Sequence, residues 1–395
     1  MTKRRDKRNR VLRSGESQSA DGRYRFTYYE NGKQRCIYSW KLETTDRLPA
    51  GKRECLALRE IERDLGIKKE KGLSLSASHT TVLELVKKYT DLRRDVRATT
   101  RTGYKTVMNF LEKDPLGGWM IDNVRASDAK RWFISLQESG KGYSTIHTIR
   151  GVLRPAFQLA VEDDLIVKNP FDFELSSVIV NDSVRREALS RKDERRFLDF
   201  IKHDKHFSRY YDGVYILFKT GLRISEFCGL TMQDIDFDEK TIRIDHQLQR
   251  TSDMRYSIVP TKTNAGTRII PMTPDVEKSF RHIVGKRMNK PRRECAIDGK
   301  KGFLFFDKNG RPMVAMHWEK YFQHMVEKYN KIYRDQLPEI TPHVCRHTYC
   351  SDMAKAGISP KTLQYLMGHS EIGVTMNTYT HFGLEEAQRE IEALG

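Results

Sequence analysis

The 395 residues, 38% hydrophobic and 31% charged, suffice for two or three domains with cores of their own, and no run of about 18 apolar residues offers a membrane span. Lysine and arginine (71) outnumber aspartate and glutamate (53), and the net charge of +18 points to a polyanionic partner. An anionic membrane surface fits less well, because no basic amphipathic helix dominates. Six cysteines scattered along the chain read as free thiols of a reducing cytosol, and the basic stretch Met1–Arg10 leads into no apolar segment, so no secretory signal is expected.

Residues 1 to about 15 form a basic run able to settle onto phosphates. Tyr24, Phe26 and Tyr28 then alternate with Arg23, Arg25 and Thr27, Asn31-Gly32 marks a tight turn, and Cys36, Tyr38 and Trp40 continue the alternation. With a helix expected over 52–65, this makes a small sheet-plus-helix module at 1–75 with basic and aromatic side chains interleaved. Arg23 and Arg25 are its candidate DNA contacts, although arginines on a solvated face would look the same. Residues 68–78 read as a linker.

A bundle is expected over 79–175. Val82, Leu85, Val86 and Tyr89 share a helical face, with Thr80 or Thr81 as N-cap. Tyr104, Val107, Met108 and Leu111 mark a second helix, and Ala129, Trp132, Phe133 and Leu136 a third. Ile146, Ile149, Leu153, Phe157 and Ala160 mark a fourth, and Asn169-Pro170 closes the set. Arg97, Arg101, Lys105, Lys141 and Arg150 are candidates for a DNA-facing side. A second linker is expected over 175–185.

The remainder, 183–395, mixes helices with short strands. Strands are expected at 241–244, 255–261 and 267–271, and helices within 192–230, at 274–288, at 313–332 and towards the end of the chain. The fold class is thus multidomain and mainly α with small β-sheets: an N-terminal sheet-plus-helix module, a helical bundle and a mixed α/β domain.

Four constellations carry chemistry. In Thr220-Gly221-Leu222-Arg223-Ile224-Ser225-Glu226, an arginine at the mouth of a helix can fork onto a phosphate, with Glu226 one turn on to hold it. An ordinary surface ion pair would have the same spacing. Lys262 stands where a hairpin tip is expected and can donate a proton when desolvated. An edge-strand lysine guarding against aggregation is the plainer account. His343 and Arg346 lie one helical turn apart behind Pro342, near a helix N-terminus that favours anions. Cys345, His347 and Cys350 invite a zinc reading, but the cysteines stand about 140° apart around a helix, and no second cysteine pair completes the set. Leu366-Met367-Gly368-His369-Ser370 is followed by Tyr379, one of 17 tyrosines.

Taken in order, arginine, lysine, His-x-x-Arg, Gly-His and tyrosine resemble the signature of the tyrosine recombinases, the lambda integrase family. The resemblance covers the whole of 183–395. The bundle resembles that family's core-binding domain. The first module is similar to the arm-binding domain of integrases from conjugative transposons (integrative and conjugative elements), through Asp21-Gly22-Arg23-Tyr24 and Tyr38-Ser39-Trp40-Lys41-Leu42.

The resemblance implies a bacterial, cytoplasmic, DNA-associated enzyme that needs no metal or other cofactor. Tyr379 attacks a phosphodiester and forms a 3′-phosphotyrosine. Arg223, Arg346 and His369 hold the non-bridging oxygens, Lys262 is the general acid, His343 the general base and Glu226 the support. It implies double-stranded DNA with core and arm sites as partner, and a homotetramer exchanging strands through a Holliday junction. Excisionase and DNA-bending proteins are its expected accessories. Leu384, Ala387, Ile391 and Leu394 give the C-terminal segment one apolar face, expected to dock on a neighbouring protomer, with packing on its own domain as the alternative. Two other functions share these residues in part: a type IB topoisomerase relaxing supercoils as a monomer, and a sequence-specific DNA-binding regulator without catalysis.

Overall fold

The computed structural model describes residues 4–30, 33–70, 80–94, 96–183, 187–251, 253–288, 296–379 and 392. Backbone packing divides the chain into two compact units, 1–184 and 185–395.

The first unit holds two separate hydrophobic cores. Around the smaller, β1 (Glu16–Gln18), β2 (Tyr24–Glu30) and β3 (Lys33–Ser39) form an antiparallel sheet in the order β1-β2-β3, with α1 (Leu58–Glu70) against it. Tyr24, Leu12, Leu42 and Leu58 are buried there. Strand alternation sends Arg25, which faces Tyr38 across the pair, and Tyr29 outward. The expected turn at Asn31-Gly32 lies outside the described residues, as does 71–78 of the first linker. Strand β1 carries no apolar alternation and escaped the sequence reading. The helix starts at Leu58 and not at Lys52, because Leu58 N–H donates back to the Lys41 carbonyl at 2.8 Å and keeps the preceding segment extended.

The larger core belongs to a four-helix bundle: α2 (Val82–Leu92), α3 (Ala98–Leu111), α4 (Ala126–Glu138) and α5 (Tyr143–Glu162). Thr81 caps α2 reciprocally with Glu84: Glu84 N–H donates to Thr81 Oγ1 at 3.2 Å, and Thr81 N–H to Glu84 Oε2 at 2.8 Å. The expected linker at 175–185 is largely part of this bundle. Leu175 and Ile179 are buried in its core, and Tyr143 N–H donates to Asp182 at 2.8 Å. The polar Asn181-Asp182-Ser183 that follows concealed these two apolar anchors. Residues 184–186 lie outside the described residues.

In the second unit, α6 (Arg191–His203), α7 (Tyr211–Thr220) and the short α8 (Ile224–Gly229) occupy the region expected to be helical. The strands are β4 (Ile235–Asp236), β5 (Thr241–Ile244), β6 (His246–Arg250), β7 (Tyr256–Pro260) and β8 (Arg268–Pro271). Four named helices follow α9 (Pro274–Met288) among the described residues: α10 (Ala315–Ile332), α11 (Pro342–Lys355), α12 (Pro360–Met367) and α13 (Ile372–Tyr379). The sheets run β4-β5-β8 and β6-β7. Lys262 therefore does not sit at a hairpin tip, since β7 pairs with β6 and β8 with β5. It opens a crossover between two sheets. Strand β6, His-Gln-Leu-Gln-Arg, lacks β-branched alternation and was missed for that reason. The core gathers Phe197, Phe218, Phe227, Trp318 and Phe322, all fully buried, with α7 packed between α9 and α11.

Candidate active site

The site is built around the C-terminal end of α12. The last carbonyls of a helix lack intrahelical partners and carry its negative dipole end. Here three successive ones are capped by three arginines from three elements. Arg268 Nε donates to Leu366 O at 2.8 Å, Arg346 Nη2 donates to Met367 O, and Arg223 Nη2 donates to Gly368 O at 2.7 Å.

Local sequence explains each placement. Helix α7 ends at Gly221 in the left-handed region (φ 61°), where a Cβ would strike the Tyr349 ring at 2.5 Å. That turn delivers Arg223 to the N-cap of α8, half-buried, with Nη1 on Glu226 Oε1 at 2.7 Å. Arg346 lies on the buried side of α11, 5% exposed, and its Nη1 also donates to the Gly221 carbonyl at 2.6 Å. Arg268 points inward from β8 beside Ile270 and is fully buried, with Nη2 on Glu226 Oε2 at 3.0 Å.

Two of the three guanidiniums bond the Glu226 carboxylate, and among the described residues the group carries three positive charges against one negative, an excess of two. Burial would raise the Glu226 pKa, yet Arg268 and Arg223 hold it below its ordinary value. Burial, with repulsion from Arg223 and Arg268, pushes Arg346 down to about 9, still charged at neutral pH. Burial and then the field of Arg346, Arg223 and Arg268 push His369 down to about 4, so its ring is neutral. Its Nδ1 lies 2.9 Å from the hydroxyl of the fully buried Thr375 on α13. A ring accepting that hydroxyl at Nδ1 carries its proton on Nε2 as a donor.

The structure therefore brings together Arg223, Glu226, Arg346 and His369. Lys262 is exposed in the β7–β8 crossover. His343 does not share the buried position of Arg346; it is exposed, its ring edge-on to His347 at 4.7 Å. The helix ratchet explains the difference, because i and i+3 diverge by about 60° and Arg346 lies on the inner side of that divide. Tyr379 ends α13, and its side chain lies outside the described residues, as does the apolar segment from Leu384 to Leu394.

Sequence reasoning missed Arg268 and Thr375. Arg268 left a readable signal, since an arginine in phase with Ile270 on the inward face of a strand needs a buried partner.

Of the flanking basic candidates, Arg23 is exposed, lying over the rings of Tyr38 (5.4 Å) and Trp40 (5.7 Å). Arg25, Arg97, Arg101, Lys105 and Lys141 are exposed. Arg150 does not stand out from the bundle as expected: it is half-buried, bonded to the Phe173 carbonyl and laid over that ring. The three residues of the rejected zinc reading diverge, with Cys345 in the main core, Cys350 in a second cluster beside Leu363 and His347 exposed. Asp234, Asp245 and His246 come close enough to hold a cation, but their atoms are engaged. Asp234 Oδ2 accepts from Thr231 N–H and Oγ1 at 2.9 and 2.7 Å, and His246 spans Asp245 and the Gly229 carbonyl.

Residues 187–385 match the phage integrase family, and residues 1–69 match the DNA-binding domain of the Tn916 integrase. The transposase from transposon Tn916 of Enterococcus faecalis is 43% identical over 393 residues, spanning 99% of this chain and 96% of that protein. The chain belongs to the phage integrase family. Its fold is that of a solved Tn1549 transposon integrase bound to transposon right-end DNA, with a TM-score of 0.76 at 43% identity over 80% of this chain and 99% of the other. A second structure of that integrase, bound to circular intermediate DNA, gives 0.75 at 42% identity, over 80% of this chain and 100% of the other. Family membership makes this integrase a tyrosine site-specific recombinase, and the fold class expected from sequence is the one observed.

Proposed function

We propose that this integrase joins and releases a conjugative transposon by cutting and resealing double-stranded DNA at the arginine-capped end of α12. The supporting observation is the uncompensated charge there: three buried or half-buried guanidiniums against one carboxylate await an anion the size of a phosphate.

In this reading Tyr379 Oη attacks the phosphorus in line, and the P–O5′ bond breaks. His343 takes the phenol proton, since a tyrosine with a free pKa near 10 is a weak nucleophile at neutral pH. Lys262 supplies a proton to the departing 5′-oxygen. Arg223, Arg346 and the Nε2–H of His369 hold the non-bridging oxygens as charge builds, and removing one such fixed donor typically costs about 2.7–4 kcal/mol of barrier. The 3′-phosphotyrosine conserves the bond energy, and the 5′-hydroxyl of the exchanged strand reverses the steps.

The module at 1–75 takes the arm sites through Arg23 and Arg25. The bundle at 79–175 grips the core site through Arg97, Arg101, Lys105 and Lys141, with the catalytic domain at 183–395. Four protomers act on two sites, the C-terminal segment docks in trans, and excisionase and DNA-bending proteins set direction. The enzyme works on DNA in the cytoplasm.

A nicked suicide duplex tests the chemistry. The wild type is expected to become attached through Tyr379 to a 3′-phosphate, leaving a free 5′-hydroxyl, while Tyr379→Phe binds without attaching. Attachment by the phenylalanine variant, or a 5′-linked product, contradicts the assignment.

A further inference from the structure

Arg268 is in none of the roles assigned above, yet it is the most completely bonded side chain of the site. Its fork reaches three segments at once: Leu366 O by Nε (2.8 Å), Gly266 O by Nη1 (2.8 Å) and Glu226 Oε2 by Nη2 (3.0 Å). The first leads into the Gly368-His369 turn, the second closes the turn that follows Lys262, and the third supports Arg223.

The packing is as close as the bonding. Gly368 is left-handed (φ 62°), and a Cβ there would meet Arg268 Nη1 at 2.9 Å and the Ala265 carbonyl at 3.0 Å. The lysine-bearing crossover is thus pressed directly onto the Gly-His turn, with Arg268 between them. From within, the crossover is braced by Thr261, whose hydroxyl donates to Thr263 O at 3.0 Å, and Gly266 packs against that side chain (2.8 Å from a built Cβ to Thr261 Cβ). Lys262 itself is exposed, and the crossover that carries it is anchored from below by the Arg268 bond to the Gly266 carbonyl.

We infer that Arg268 is the positioning residue for leaving-group protonation: by clamping the Gly266 carbonyl to the end of α12, it sets the height of Lys262 over the scissile phosphate. Lysine cannot replace it, because a single ammonium does not present three donors in one plane to acceptors on three segments. The inference rests on Lys262 being the general acid, and the test separates the two.

The test measures covalent adduct formation by the full-length enzyme on two nicked duplexes, one ordinary and one with sulfur replacing the bridging 5′-oxygen. In the second the P–S bond breaks and a thiolate leaves without needing a proton, so any step spent on protonation drops out. Arg268→Gln is expected to lose on the order of 10²-fold on the oxygen duplex, the lower end of what a placed proton donor contributes, and to return to near the wild-type rate on the sulfur duplex. Arg268→Lys, which keeps the charge opposite Glu226, is expected to show the same sulfur-rescued defect and serves where the glutamine variant does not fold. Glu226→Gln, acting through Arg223, is expected to stay slow on both duplexes.

If Lys262→Ala is rescued by sulfur and the Arg268 variants are not, the clamp is wrong and the acid stands. If Lys262→Ala is not rescued, the acid assignment fails and the inference with it. Full activity of Arg268→Lys on the oxygen duplex also overturns it, since charge alone would then suffice.

Discussion

The integrase offers DNA two basic surfaces of opposite character. At the end of α12 the arginines are buried or half-buried and forked onto backbone carbonyls, and Glu226 fixes Arg223 and Arg268. Beside the N-terminal sheet Arg23 is exposed, rests on the rings of Tyr38 and Trp40, and pairs with the exposed Asp21 at 2.6 Å. Fixed donors do not reorganise when charge develops, which is what a transition state rewards. Exposed guanidiniums on aromatic rings can shift to follow a backbone, which is what binding along a groove rewards. In the proposed reading the same residue type serves chemistry in one place and adhesion in the other, and burial decides which.

The comparison breaks most visibly at Glu226. Glu226→Gln leaves two arginines without a counter-charge, and removal of one partner from a buried pair typically costs about 3–5 kcal/mol. Urea unfolding of the full chain should show a loss of that size in the catalytic unit. Next, Arg346→Lys keeps a positive charge but cannot cap two carbonyls while holding a phosphate. Single-turnover cleavage is expected to fall by about 10²–10³-fold, with duplex affinity far less changed.

The third expectation concerns acid. His369 in the folded chain titrates near 4, below its ordinary 6.5, so between these values the unfolded chain binds a proton that the folded one refuses. Glu226, held below its ordinary 4.5, acts in the same direction at lower pH. The stability these groups confer is present near neutrality. The histidine share is lost as pH falls from 6.5 towards 4, and the Glu226 share below that. Unfolding curves between pH 7 and 5 should show a shallower loss for His369→Gln than for the wild type. Equal slopes would refute the neutral ring.

The smallest effect belongs to the sheet. Arg23→Ala should weaken arm-site binding modestly, by about 0.5–1 kcal/mol, and lower the salt slope by about one, without touching cleavage of a core-site duplex.

How much of this was legible in the sequence follows the same divide. The four bundle helices were readable because Val82, Leu85, Val86 and Tyr89, and their counterparts, repeat at helical spacing and lie in or against the core. Arg223, Arg346 and His369 were readable because each follows a helix signal, a glycine or a proline that fixes where it points. Hidden from the sequence were pairings that only the tertiary fold creates. Arg268 meets Leu366 and Glu226 across the sheet edge, Leu175 and Ile179 belong to the bundle despite polar neighbours, and β6 exists because β7 folds back on it. Period-based reading also placed Lys262 at a hairpin tip, since it assumes that consecutive strands pair, and here they join different sheets.

In the proposed mechanism the arginine-capped end of α12 neutralises the charge of one phosphate. A duplex with a neutral methylphosphonate at the scissile position tests it through Arg223→Ala, which leaves the buried Glu226–Arg268 pair in place. Cleavage by this variant should be severely impaired on the ordinary phosphate and restored towards the wild-type level on the methylphosphonate, where that charge is gone. An equal defect on both substrates would contradict the account.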